Sequence, residues 1–81
     1  MRAYVLVKLV PGSELEIMGN LQEMEAILGA NIVHGPYDCV VELRREDFVG
    51  INDTIFQIRA MKGVVDTLTC LVTHSWIRRS D

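Results

Sequence analysis

The first apolar segment of the chain, RAYVLVKLV, carries hydrophobic side chains at nearly every position. Successive residues of a strand point to opposite faces, so both faces of this one would be apolar. Lys8 is the exception, and the two faces would carry Ala3, Val5, Val7 and Leu9 on one side and Tyr4, Leu6 and Val10 on the other. A strand with one solvent-exposed face alternates apolar and polar residues, so this pattern predicts a strand covered on both sides.

The next segment repeats apolar residues at helical spacing. Ser13 and Glu16 have the spacing of a capping box, and Gly29 is a typical stop signal after a helix. The apolar stripe consists of Ile17, Leu21, Met24 and Leu28. The pattern predicts a first helix over residues 13–28.

The remaining patterns predict two strands, a second helix and a final strand. ANIVHG is a short second strand, a Gly-Pro turn follows, and YDCVVELR is the third strand. EDFVGINDTIFQIRAMKG is the second helix, and VVDTLTCLVTHSWI is the fourth strand. The apolar stripe of the second helix consists of Phe48, Ile51, Ile55 and Ile58.

This order of elements predicts the fold class. Strand, helix, strand, strand, helix, strand is the α+β ferredoxin-like βαββαβ pattern, in which a four-stranded antiparallel sheet carries two helices on one face. We expect right-handed crossovers and the spatial strand order 4-1-3-2, with residues 1–81 as one domain. Cys39 and Cys70 would lie on non-adjacent strands, which argues against a disulfide within the chain.

Composition adds an expectation of self-association. The chain has 81 residues and 49% hydrophobic residues, although a chain of this size has a thin core. The apolar excess and the uncovered sheet face predict dimerisation of one sheet against another. A net charge of −3 disfavours direct nucleic-acid binding. With no secretory signal, no membrane-spanning run and two cysteines outside a CxxC pair, we expect a cytoplasmic protein with reduced thiols.

Candidate chemistry is sparse and favours binding over catalysis. His34 and His74 have no third ligand at metal-binding spacing, so we expect no metal and no cofactor. Asp38 could accept hydrogen bonds from an ammonium, and the hydroxyls of Thr67 and Thr69 could donate to a carboxylate, as an amino-acid zwitterion requires. Two structural alternatives remain open: an Asx turn at Asp38, and simple strand preference for the threonines.

The segment VHGPYDCVVEL resembles the G-x-Y-D turn and strand of the Lrp/AsnC ligand-binding domain, also called the RAM domain. The segment MKGVVDTLTCLV is similar to that family's entry into its last strand. The resemblance covers residues 2–74. It implies an effector pocket whose members are Gly35, Tyr37, Asp38, Thr67 and Thr69, with no catalytic residue.

The resemblance also implies partners. Family members dimerise through their sheets, assemble into rings that are often octamers, and bind small amino acids between dimers. No helix-turn-helix precedes the first strand, so the chain resembles stand-alone members that could act on full-length regulators by assembly and thereby modulate transcription. Pro36 departs from the family motif and removes a backbone N–H, which bears on the identity of the ligand.

Two other functions share the predicted fold. A small dimeric enzyme of the α/β-barrel monooxygenase or isomerase type would need a polar side chain in the cavity between helices and sheet. Tyr4, Tyr37 and His34 are the candidates for that role. An ACT-like regulatory domain would also bind an amino acid. Only the G-x-Y-D motif favours the Lrp/AsnC interpretation over this alternative.

Overall fold

The strands and helices follow the predicted order. The computed structural model describes residues 1–78. Its elements are β1 (Arg2–Leu9), α1 (Glu14–Gln22), β2 (Ile27–Ile32), β3 (Cys39–Arg44), α2 (Phe48–Arg59) and β4 (Val64–Leu71). The strands form one antiparallel sheet in the order β2-β3-β1-β4, which confirms the ferredoxin-like prediction and its strand order.

The hydrophobic core lies between the helices and one face of the sheet. Residues directly opposite each other on antiparallel strands share a face. Val5, for example, pairs with Val41 on one side and Thr69 on the other. The buried apolar residues are Ala3, Val5, Val7, Leu9, Ile17, Leu21, Cys39, Val41, Leu43, Ile51, Ile55 and Ile58. The predicted inward face of β1 is thus confirmed, as are the inner positions Ile17 and Leu21 of α1 and Ile51, Ile55 and Ile58 of α2.

The opposite face of the sheet has no helix over it. We call it the uncovered face, and its apolar members are Tyr4, Leu6, Val33, Val40, Leu68 and Cys70. The register aligns Leu6 with both Val40 and Leu68, so apolar side chains meet across three strands. At its end Arg2 Nε donates to Glu42 Oε2 over 2.9 Å. The face is therefore an apolar surface with a polar margin.

The first helix is shorter than predicted, because it ends at Gln22 rather than at residue 28. Ile27 pairs with Leu43 of β3, so the chain must enter the sheet by that point. Met24 still packs against the core from the turn, although Leu28 is half exposed on β2. Apolar spacing alone did not separate a helical stripe from a turn followed by an edge strand.

The predicted capping box is also wrong. Ser13 has helical dihedrals, with φ −91° and ψ −1°, and makes no side-chain cap bond. Its hydroxyl donates instead to the Val10 carbonyl over 2.6 Å, which closes the turn after β1. Gly29 is not a helix stop, since it lies within β2 opposite Glu42.

The predicted boundaries of the second and fourth strands also shift, and one residue of a predicted stripe is exposed. The second strand lies at Ile27–Ile32 instead of residues 30–35, because its partner β3 spans Cys39–Arg44. The last strand ends at Leu71 rather than at residue 77: its neighbour β1 begins at Arg2, whose carbonyl accepts the Val72 N–H as the ladder finishes. In the second helix, Phe48 is 49% exposed and lies outside the buried stripe.

The two thiols stay apart because β1 runs between their strands. Cys39 lies on β3 and Cys70 on β4, and both are free, which confirms the prediction that they form no disulfide with each other. Burial raises the pKa of the Cys39 thiol, a hydrogen bond from the Asn31 backbone lowers it, and the charge of Asp38 raises it further. Cys70 is exposed on the uncovered face.

Candidate functional site

The turn between β2 and β3 forms the wall of a cavity. The Val33 N–H donates to the Asp38 carbonyl over 3.0 Å, which closes the turn at its base. Lys8 Nζ donates to the Pro36 carbonyl over 3.1 Å, so β1 also holds the tip. A cavity of about 300 Å³ is lined by Leu6, Val33, His34, Gly35, Pro36, Tyr37 and Val40. Predicted site residues Gly35 and Tyr37 therefore meet at the margin of the uncovered face.

Asp38 holds the backbone at the end of β1. Its N–H donates to the Val7 carbonyl over 3.0 Å, and its carboxylate Oδ2 accepts from the Leu9 N–H over 2.8 Å. The pairing of β1 with β3 ends at Val7 and Cys39, so the Asp38 carboxylate, rather than a β3 carbonyl, accepts from the Leu9 N–H. This bond to another strand differs from the Asx turn considered from the sequence, and the predicted ligand contact of Asp38 stays a prediction.

The two threonines lie on the other side of β1. Thr67 pairs with Val7 and Thr69 with Val5, so both side chains share the face that the helices cover. Both are half buried on an edge strand. Asp38 and Thr67 flank Val7 from opposite sides, about 10 Å apart at the strand spacing of a sheet. One chain alone does not bring the five predicted residues into contact, and their common pocket stays a prediction for an assembly.

The residues considered for catalysis lie outside the space between helices and sheet. Apolar side chains fill that space, and Thr54 is the one buried polar residue among those described. His34 and Tyr37 line the turn cavity, whereas Tyr4 lies on the uncovered face and accepts a long hydrogen bond from Arg2. Within residues 1–78, no group of three His, Cys, Asp or Glu side chains could hold a metal ion.

A second cleft lies at the opposite end of the sheet from the turn, where sequence reasoning found nothing. It has a volume of about 540 Å³ and lies between the α1–β2 connection and α2. Its lining residues are Glu23, Met24, Glu25, Ala26, Arg45, Thr54 and Gln57. Arg45 Nη1 donates to Thr54 Oγ1 over 2.9 Å, and Thr54 Oγ1 donates to the Gly50 carbonyl over 3.0 Å. The one feature of the sequence that could have indicated this cleft is the one-turn spacing of Gly50 and Thr54 on α2.

Comparison with known proteins agrees with this geometry. The sequence model of the Lrp/AsnC ligand binding domain matches residues 2–81. The HTH-type transcriptional regulator FL11 of Pyrococcus abyssi is 33% identical over 91% of this chain, and LysM of Saccharolobus solfataricus is 31% identical over 93%. The matches cover 50% and 54% of those two proteins, so the chain spans about half the length of the curated relatives it matches.

Solved structures, one of them of similar length, share the fold. TTHA0845 from Thermus thermophilus has a TM-score of 0.87 at 27% identity, and the match covers 95% of this chain and 98% of that one. Escherichia coli AsnC is similar in fold alone, with a TM-score of 0.90 at 14% identity over 98% of this chain and 54% of that one.

No helix within residues 1–78 is long and apolar enough to cross a membrane.

The family match spans nearly the whole chain, and the two curated relatives, 33% and 31% identical to it, are transcriptional regulators. The turn that carries the G-x-Y-D motif closes a cavity beside an uncovered sheet face. This chain belongs to the Lrp/AsnC family, whose ligand-binding domain matches residues 2–81.

Proposed function

We propose that residues 1–81 form one effector-binding and oligomerisation domain that senses a small amino acid at a subunit interface. It would modulate transcription regulators by changing their assembly. Family membership and the regulators among the relatives support the regulatory part. A Neisseria meningitidis regulator of the same fold, 12% identical, was solved as a complex with L-Met, which supports an amino acid as the effector class.

The observation that carries the proposal is the uncovered face. Leu68 is 47% exposed and Tyr4 37%, and they lie beside Leu6 and Val40 on neighbouring strands. Burying such a contiguous apolar surface is favourable, by roughly 25 cal/mol for each Å² removed from water. A second copy presents the same surface, so two sheets can cover each other through a two-fold axis.

The effector pocket would be completed between subunits. The turn cavity opens beside the uncovered face, and Gly35 and Tyr37 form part of its wall. A Cβ added at Gly35 meets nothing within 4 Å, which leaves space for a ligand or a neighbouring subunit to approach the backbone. In this proposal Asp38 orders the turn, and Thr67 and Thr69 contribute hydroxyls from a neighbouring copy.

The expected partners follow from these surfaces. The chain would bind itself through the uncovered face and form a higher ring such as an octamer, and it could join full-length Lrp/AsnC regulators through the same contacts. We expect it to act in the cytoplasm, without a cofactor, without catalysis, and without direct contact to a membrane. A net charge of −3 disfavours direct binding to nucleic acid.

Native mass spectrometry, with and without a mixture of the standard amino acids, tests the proposal. We expect a ring-sized species that retains one amino acid per subunit. Leu68→Glu should give monomers because it places a charge in the middle of the uncovered face. Leu15→Glu is the matched control, since Leu15 is 86% exposed on α1 and lies away from that face. A wild-type monomer at micromolar concentration would contradict the proposal.

A further inference from the structure

The cleft beside α2 contains the Arg45 guanidinium, which Thr54 and Gly50 hold in place. Thr54 is 1% exposed, and its hydroxyl donates its hydrogen to the Gly50 carbonyl. Its oxygen is then left to accept from Arg45. A Cβ at Gly50 would lie 2.9 Å from the Arg45 Cβ and 3.0 Å from its Nε, so a glycine is required for this side chain to cross the helix.

The charge of this guanidinium is unpaired within the described part of the chain. Arginine has five N–H donors, and here one donates to Thr54. The single ion pair among residues 1–78 joins Arg2 and Glu42, although Glu23 and Glu25 line the same cleft as Arg45. A positioned cation on one wall and two carboxylates on another are therefore each free to meet a ligand.

We infer that this cleft binds the charged backbone of a free α-amino acid within a single subunit. Arg45 would donate to its carboxylate, and Glu23 or Glu25 would accept from its ammonium, because charge-assisted bonds of this kind are the strong ones. Met24 and Ala26 supply apolar contact for a side chain. A simple anion such as phosphate is disfavoured, since the two carboxylates outnumber the one guanidinium.

The inference is separate from the interface pocket. The cleft lies at the end of the sheet where β3 leaves and α2 begins, whereas the Gly35–Asp38 turn lies where β3 enters. It needs no second subunit, so it can hold whether or not the chain forms rings. Two amino-acid sites of different construction would then exist in one domain.

Titration of the full chain with three related probes, followed by ¹⁵N NMR, tests this inference. L-leucine carries both charges, isocaproate lacks the ammonium, and isoamylamine lacks the carboxylate. We expect leucine to shift the Arg45 Nε–Hε resonance and the Thr54 amide, and each analogue to bind about tenfold more weakly or worse. Equal binding of isocaproate, or no shift at Arg45 with leucine at millimolar concentration, overturns the inference.

Paired variants separate the cleft from the rest of the molecule. Arg45→Gln should weaken leucine binding by about tenfold, whereas Arg59→Gln, which removes an equal charge from the exposed end of α2, should change it less than about twofold. If Arg45→Gln does not fold, the double variant Glu23→Gln and Glu25→Gln, at two exposed positions, should weaken leucine binding in the same way. Asp53→Asn, at another exposed position, is its control.

The same spectra distinguish this inference from the interface pocket. Leucine shifts confined to Gly35 and Tyr37 that survive Arg45→Gln would support the interface pocket and overturn the cleft. Shifts at Arg45 and Thr54 that survive Leu68→Glu would support the cleft, because the dimer is then absent. A loss of stability in Arg45→Gln without any leucine shift in the wild type would show that Arg45 only ties β3 to α2.

Discussion

At the scale of single residues, the role of Asp38 changes between sequence and structure. An acid at the mouth of an apolar strand fits both a ligand contact and a turn cap, and local spacing cannot separate these. In the structure the Asp38 carboxylate accepts from the Leu9 N–H, which lies on another strand 29 positions away in sequence. Such a bond depends on the register between β3 and β1, which the sequence pattern did not predict although it predicted that these strands are neighbours.

Replacing Asp38 tests its structural role. Asp38→Ala leaves the Leu9 N–H without an acceptor, and Leu9 is 4% exposed, so we expect a loss of about 1–3 kcal/mol in the free energy of unfolding. Asp38→Asn keeps an oxygen acceptor and should lose less. Urea denaturation gives both values. Asp66→Ala, which removes an exposed acid that bonds the adjacent Thr67 N–H, is the control; a loss at Asp38 no larger than this would contradict the cap.

The two cysteines should differ in reactivity with a thiol reagent. Burial raises the pKa of Cys39 and blocks access to its sulfur, whereas Cys70 is exposed. In the Leu68→Glu variant, in which the uncovered face stays open, we therefore expect Cys70 to react at neutral pH and Cys39 to stay protected until the protein unfolds. Ellman's reagent measures this directly. In Cys70→Ser the native protein should show no fast-reacting thiol, and a fast reaction there would refute the protection of Cys39.

At the scale of elements, the type and order of strands and helices followed from the sequence, and several boundaries did not. β1 was recognisable because Val5 and Val7 alternate with Tyr4 and Leu6, and both sets are apolar. The end of α1 was not recognisable, because its last turn is set by the pairing of Ile27 with Leu43. Periodicity reports which residues are buried, but the sheet decides where the chain stops being helical.

Two glycines give a matched test of the connections between elements. Gly63 has φ +101°, and a Cβ there would lie 2.8 Å from the Ser13 Cβ, where the α2–β4 and β1–α1 connections meet. Gly63→Ala should therefore destabilise the protein by about 1 kcal/mol or more. Gly19→Ala lies in open space on α1 and should stabilise it by up to about 1 kcal/mol. Thermal unfolding of the two variants measures both, and shifts of the same sign would contradict the prediction.

At the scale of the whole molecule, the helices cover one face of the sheet and leave the other face, with its apolar side chains, exposed. The sequence indicated this surplus through apolar residues on both sides of β1 and β4. It could not give the strand register, and the register is what places Thr67 and Thr69 on the face that the helices cover. The arrangement of the predicted site residues therefore depends on subunit geometry that lies beyond a single chain.

Association through the uncovered face predicts a stability that depends on concentration. Binding that occurs only in the folded state raises the unfolding midpoint by mass action. We expect the Tm of the wild type to rise with protein concentration, and the Tm of Leu68→Glu to stay constant over the same range. Differential scanning fluorimetry over a dilution series measures both. A constant Tm in the wild type would count against the uncovered face as an interface.

The central position of β1 also governs how the fold can form during synthesis. Of the four strands β1 leaves the ribosome first, and β4, which pairs along its whole length, leaves last. Until residues 64–71 emerge, β1 can pair with β3 on one edge while its other edge stays open. An open apolar edge is a template for pairing with another nascent chain. The emergence of β4 is thus the step at which the second edge of β1 is paired and this route to aggregation is lost.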